Sequence, residues 1–437
     1  MDRLFENKKI SVIFWSMLTA CILLLLPTFV RKLACGHLTA AAIVVVYGYV
    51  ITLRKSLKDV KFTATSLGLK KQEGRDMRYD RLRLICILMV IMVHSIDGRM
   101  PFISEPGNNI ILGYEVHAGD TFLYLMHILR LICMSGNMLF LMLSGALLLR
   151  YRENEGVGGF YYKRFLKVII PMAAATAFYL WIGMKVPKVD FQYLRDVVHN
   201  IWVANYDDTP FYWILYVILS LYVVFPFFRY MFKDMPYKVL TSFVAVCIIF
   251  MFLQSGNRTN PIQITTFMAQ WMAFPVMGYW LVQPETEKYY RPLKILGLLS
   301  LIYCCLLIRK YGDYSAYTQR IMWYTPTLSF LVMGEFALIF DVKAFRKKQN
   351  VFLRFFGRYS FSIILIHWFC LHFITRRFLR VLDPTVLGLG IAYDFIVTVL
   401  TSMAVAFIFE NYVVGTVTHV IEKAVSLIKK IPLPKFR

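Results

Sequence analysis

Charge is scarce in this chain, and acidic charge scarcest of all: 26 Asp and Glu stand against 49 Lys and Arg in 437 residues, and charged residues make up only 17%. With 58% of the residues hydrophobic, so little polar surface cannot enclose a single soluble core, and the chain must use lipid as part of its solvent. Metal signatures are missing too. There is no HExxH, no histidine pair joined with a carboxylate inside one turn, and the eight cysteines (21, 35, 86, 133, 247, 304, 305 and 370) never form CxxC. These absences speak against a metal centre and a disulfide framework, and the cysteines, almost all within apolar runs, read as core-packing thiols. No internal repeat and no soluble domain is visible. The net charge of +23 does not call for a nucleic-acid partner, because the basic residues fall mainly between apolar segments, where the positive-inside rule places them.

What the chain does have is long apolar runs. Twelve approach the ~20 residues that cross a hydrocarbon core, centred near residues 20, 45, 90, 135, 175, 220, 246, 274, 300, 331, 367 and 400. The first, Ile10 to Val30, follows a basic start and precedes a lipoprotein-like Leu33-Ala34-Cys35. Arg31 and Lys32 spoil that site and the run has the length of a span, so it reads as a retained helix. The segment Arg54 to Arg78 carries eight Lys/Arg against three acids, whereas Gly98 to Thr121 has one basic residue, Arg99, and three acids. This asymmetry predicts a multi-pass cell-membrane protein with both termini in the cytoplasm. Basic connections at Arg150 to Lys167, Arg229 to Lys238 and Lys343 to Arg358 fall on the same side, as does the tail. The expected organisation is two N-terminal helices (1–55), a basic cytoplasmic linker (56–75), a ten-helix membrane domain (76–418) and a basic tail (419–437). The fold class is all-α.

One span stands out by its ionisable residues. In RYDRLRLICILMVIMVHS, Arg78 to Ser95, Arg83 and His94 lie eleven residues apart. Helix geometry puts them about 20° apart around the axis and about 16 Å apart along it, on one face that should look at protein or water. Arg83 sits within a turn of the cytoplasmic boundary and His94 past the midplane. An arginine can hold phosphate near the inner surface, and a histidine can act as a base deep in the span. Snorkelling of Arg83 and an interhelical bond to His94 would explain them as well. Asp80 and Asp97, one turn outside each, extend the constellation, and Asp97 is placed either to orient the imidazole or to mark the outer boundary. Arg130, buried in the next apolar run, calls for a carboxylate that the sequence does not name. Trp202, Tyr206, Tyr212 and Trp213 suit an interfacial aromatic belt, with sugar stacking as the alternative.

These residues resemble the acyltransferase 3 family of integral-membrane O-acyltransferases, whose hallmark is a basic residue, ten intervening residues and a histidine. Arg83 and His94 match it, with Asp80 leading in. MLFLMLSGALLL (Met138 to Leu149) is similar to the family's helix ending in Ser-Gly, and FYYKRFLKVIIP (Phe160 to Pro171) to its basic loop before a proline, with Lys167 where a second arginine is usual. FPVMGYW and FGRYSFSIILIHW are weaker echoes, the latter placing Ser360 and His367 on one face.

The resemblance implies transfer of an acyl group, acetyl from acetyl-CoA, to a hydroxyl of a carbohydrate or envelope-polymer acceptor, without a metal. It implies that Arg83, Arg164 and Lys167 bind the coenzyme phosphates. His94 would deprotonate the acceptor or carry the acyl group, helped by Asp97. Asp80, Ser144, Ser360 and His367 are supporting residues. Ser144 with Gly145 is expected chiefly to allow close helix packing. A transporter or flippase of an envelope precursor is the rival class, and a noncatalytic family relative in a biosynthetic complex is a third reading.

Overall fold

Backbone polar groups in a bilayer have only one another as partners, so apolar runs of this length close into helices. The computed structural model describes residues 74–428 apart from 100–109, 112–113, 116–119, 184–190, 204–209, 257–270, 312–325, 348–349 and 380–386. The two N-terminal spans, most of the basic linker and the last nine residues therefore lie outside the described residues, as do Cys21, Cys35 and Tyr206. The remaining six cysteines are free thiols, all but Cys305 buried.

The chain is an all-α polytopic membrane protein. Its helices are α1 (Arg78–Asp97), α2 (Asp120–Leu148), α3 (Val157–Arg164), α4 (Ile170–Gly183), α5 (Phe191–Trp202), α6 (Trp213–Phe232), α7 (Tyr237–Gly256), α8 (Ala273–Leu281), α9 (Tyr290–Tyr311), α10 (Pro326–Asp341), α11 (Val351–Phe369), α12 (Leu387–Ile408) and α13 (Gly415–Ile428). Among the described residues the only departure is a small antiparallel ribbon, β1 (Ile110–Ile111) with β2 (Tyr114–Glu115). Wide π-turns occur at three places: Phe165–Ile169 carries α3 into α4, Phe409–Val414 carries α12 into α13, and Cys370–Phe378 prolongs α11. The part of the chain expected to be a tail after residue 418 thus begins as a continuation of the last helix.

Among the described residues five helices are long and apolar enough to cross a membrane: Thr121–Leu148, Val157–Ile182, Trp213–Phe232, Pro284–Lys310 and Gly388–Ser426. Helix α1 is too charged for that group, since RYDRLRLICILMVIMVHSID carries five charged residues. It is accommodated by position. Its residues Leu82, Cys86, Ile87, Ile91 and Ile96 are buried against α2, α11 and α12, so protein replaces lipid around it. Its first turn is tied down by the Met77 amide, which donates to the Arg346 carbonyl at 3.0 Å. Asn350 caps α11, its side chain accepting from the Phe352 amide at 2.8 Å.

The tightest crossing lies between α2 and α8. A Cβ at Gly145 would run into the backbone of Pro275, and one at Gly278 into the backbone of Met142. Two glycines facing each other's helix let the backbones touch, as small residues do in membrane packing. Ser144, beside Gly145, donates its hydroxyl to the Phe140 carbonyl at 2.9 Å, satisfying itself within its own helix. The Ser-Gly pair is therefore a packing element. Gly145→Val should lower the melting temperature of the detergent-solubilised protein, through overpacking worth about 1–3 kcal/mol. Gly158→Ala, at a glycine with open space around it, serves as the neutral control in the same melt.

Candidate functional site

At one end of α1, the helical i, i+3 spacing brings Asp80 beneath Arg83. The Asp80 side chain is fully buried, and its Oδ1 accepts from Arg83 Nη1 at 2.8 Å and from Arg75 Nη2 at 2.6 Å. Asp80 thereby holds Arg83 in place. Arg164, at the end of α3, lies 5.5 Å from the ring of Phe160 and 5.7 Å from that of Tyr222. Tyr222 also lies within electrostatic range of Arg83. The Arg164 Nε is buried without a hydrogen-bond partner among the described residues. Lys167 falls in the π-turn and is exposed.

The basic loop has its own anchor. Glu155 receives Lys163 Nζ at 2.7 Å and Arg229 Nη1 at 2.7 Å, and Arg229 also donates through Nε to the Leu148 carbonyl. Burial opposes ionisation of Glu155, but the hydrogen bonds and charges of Lys163 and Arg229 outweigh it and hold the carboxyl at about 2.

At the other end of α1 the side chains surround a cavity of about 220 Å³, lined among others by His94, Asp97, Arg130, Asn137, Phe211, Trp213 and His367. His94 stacks on His367 with ring centroids 5.2 Å apart and planes inclined 28°, and its edge meets Trp368 at 5.1 Å. Phe211 packs edge-on against His367 at 5.0 Å. The His367 Nδ1 lies 2.6 Å from the Ile364 carbonyl. A carbonyl can only accept, so Nδ1 carries the proton and Nε2 the lone pair.

Arg130 finds its carboxylate in Asp97. Its Nη2 donates to Asp97 Oδ2 at 3.0 Å, and its Nε makes a second bond to Oδ1. The sequence left Asp97 either to orient the His94 imidazole or to mark the outer boundary; in the structure both its oxygens accept from the bidentate guanidinium of the neighbouring helix. Just beyond, Asp394 of α12 accepts from Arg99 at 2.7 Å through both oxygens and from Arg376 at 2.9 Å, all three buried. The His372 ring lies 4.1 Å from that of Trp368.

Of the residues singled out in the sequence, His94, His367 and Asp97 thus share one cavity, while Arg83 and Asp80 lie at the opposite end of α1 and Arg164 stands beside Tyr222. Ser360 is buried on α11, two turns before His367, and neither it nor Ser144 lines the cavity. The expected aromatic belt is partly wrong. Trp202 is 87% exposed, but Tyr212 is buried and Trp213 lines the cavity, because the 3-10 turn Pro210–Tyr212 drops the chain inward before α6 starts.

Sequence reasoning missed Asn137, Phe211, Trp368, His372, Arg376 and Asp394. Asp394 and Asn137 had a signal, since each is an isolated polar residue in an apolar run. The family model for an acyltransferase domain, that of the acyltransferase 3 family, matches residues 78–410. The chain belongs to the acyltransferase 3 family. The match begins with α1 and ends just inside the last π-turn, so both ends of the constellation lie within the acyltransferase domain. No curated protein and no solved structure matches the chain significantly.

Two outcomes follow from these contacts. Asp97→Ala strands the Arg130 guanidinium and should cost about 1–3 kcal/mol, the Asp97 side chain being 33% exposed, whereas Asp97→Leu with Arg130→Met together should cost less; a double-mutant cycle on melting temperatures measures the difference. Glu155 has a depressed carboxyl pKa, so its contribution is fully present above the ordinary carboxylate value of about 4.3. It is lost as pH falls towards about 2. Melting temperature should therefore fall across that acidic window in the wild type, and Glu155→Gln should be less stable at neutral pH with a flatter acid limb.

Proposed function

We propose that this acyltransferase moves acetyl from acetyl-CoA to a hydroxyl of a carbohydrate or other envelope-polymer acceptor in the cell membrane, with both termini in the cytoplasm. The observation that carries the reading is the cavity with two histidines at one end of α1, while Arg83, held by Asp80, lies at the other and Arg164 stands beside Tyr222. Coenzyme A has the same polarity, with anionic phosphates at one end of a long arm and a thioester at the other. Arg83, Arg164 and Lys167 are assigned to the phosphates, where guanidinium forks and an ammonium suit anionic oxygens. Asp80 is the positioning residue that keeps Arg83 extended toward them.

At the far end His94 reacts with the thioester or with the acceptor. As a base it takes the acceptor's proton; as a carrier its ring nitrogen attacks the acetyl carbon, the carbon–sulfur bond breaks, and the acceptor oxygen displaces the imidazole. Phe211 and Trp213 contribute apolar surface to the cavity. The aromatic faces of Phe211 and Trp213 beside the amide of Asn137 suit a sugar, which offers an apolar ring face and hydroxyls at once.

The test uses purified full-length protein and radiolabelled acetyl-CoA. Wild type should release thiol and transfer label; His94→Ala should lose about 10²–10⁴-fold of that rate. Arg83→Ala should act chiefly on donor binding, raising KM for acetyl-CoA about tenfold or more, as expected for one charge-assisted hydrogen bond. Transfer by His94→Ala at the wild-type rate would sink the assignment.

A further inference from the structure

His94 and His367 are not equivalent. The contacts of His94 with its neighbours are ring contacts, to His367 and Trp368, and leave its tautomer undetermined. His367 is fixed. Its Nδ1–H is committed to the Ile364 carbonyl at 2.6 Å, so its remaining nitrogen must present a lone pair. That nitrogen, Nε2, is buried and has no hydrogen-bond partner among the described residues, while the ring lines the cavity and is only 1% exposed. A buried acceptor with no donor is expensive, and such groups in native proteins mark a place where something else donates. Phe211 packed against the same ring prevents it from swinging away to find another partner.

We infer that His367 is the general base of the acceptor half of the reaction: its Nε2 receives the proton of the acceptor hydroxyl. The inference rests on the acyl-transfer reading above. As the acceptor O–H bond breaks, the proton moves to Nε2 and the oxygen forms a bond to the acyl carbon. The bond from that carbon to the leaving group breaks, whether this is the thioester sulfur or a His94 nitrogen, and the proton on His367 passes to the departing atom. His94 and His367 stack side by side, so one acceptor oxygen placed in the cavity can face both rings. The Ile364 carbonyl stabilises the imidazolium formed in between, the part a carboxylate plays behind other catalytic histidines.

The informative variant is His367→Asn, whose amide N–H lies where Nδ1–H was, keeping the donor to Ile364, and whose side chain has no basic nitrogen at the Nε2 position. His367→Ala is its companion, and melting temperatures report whether each folds. Purified full-length protein is given acetyl-CoA with either water or hydroxylamine as the acceptor, and enzyme-dependent thiol release is followed. Hydroxylamine attacks through a lone pair that needs no prior deprotonation. We expect His367→Asn to lose about 10²–10⁴-fold in hydrolysis, and hydroxylamine to restore at least roughly a tenth of the wild-type rate with that nucleophile. Hydrolysis by His367→Asn at the wild-type rate would overturn the assignment. So would equal loss with both nucleophiles in a folded variant, which would make His367 structural. Failure of the acyl-transfer reading looks different: wild type itself would release no thiol with either nucleophile.

Discussion

Hydrocarbon does not solvate charge, and almost every polar contact in this protein follows from that. Several carboxylates near the described spans have a cation close by. Asp80 lies between Arg75 and Arg83, Asp97 faces Arg130, Asp394 sits between Arg99 and Arg376, and Glu155 between Lys163 and Arg229. Glu335, in the middle of α10, receives the Ser135 hydroxyl at 2.6 Å. These pairs are weak evidence for stability, because desolvation offsets much of the attraction. Their value is in specifying register: a one-residue slip of α1 against α2 would separate Asp97 from Arg130 and leave both uncompensated.

Small residues make that register possible. Gly136 lets α2 lie directly on α1, since a Cβ there would come within 2.8 Å of the Met89 Cβ and 3.2 Å of the Cys86 carbonyl oxygen. Nine residues further along the same helix, Gly145 lies on Pro275 of α8. Helix α2 is therefore clamped at two heights. Between and beside the clamps it delivers Arg130, Cys133 and Asn137 to the cavity wall, and its Ser135 to Glu335. The wall of the site is rigid for the same reason the helices pack closely.

The sequence was most readable where one helix carries the information. Arg83, His94 and Asp80 obey helical spacing on a single element, and the membrane architecture follows from apolar runs and basic loops. Pairings between distant segments were not readable. Arg130 called for a carboxylate, yet choosing Asp97, 33 residues away, required the α1–α2 register, and linking Arg99 to Asp394 spans 295 residues. Tyr212 and Trp213 were placed at the membrane surface because composition cannot show a turn folding inward. The hydrogen bond of His367 to Ile364 and its ring contact to His94 are likewise contained in no spacing rule.

The carboxylates named above are each met by a cation or a hydroxyl, which is what a fold needs to survive in lipid. Buried polar atoms without a hydrogen-bond partner among the described residues occur in several places, Asp80 Oδ2, Arg164 Nε and Arg229 Nη2 among them, and one, His367 Nε2, belongs to a ring that lines the cavity. His367 leaves a lone pair unanswered, and Asn137 brings an amide to the same space. Had these groups served only the fold, the neighbouring Arg130 or Trp213 would have been the natural donors, but Arg130 is committed to Asp97. On a ring that lines the cavity, the unpartnered Nε2 of His367 is open to a donor that arrives and departs. In an acyltransferase, the hydroxyl of the acceptor is such a donor.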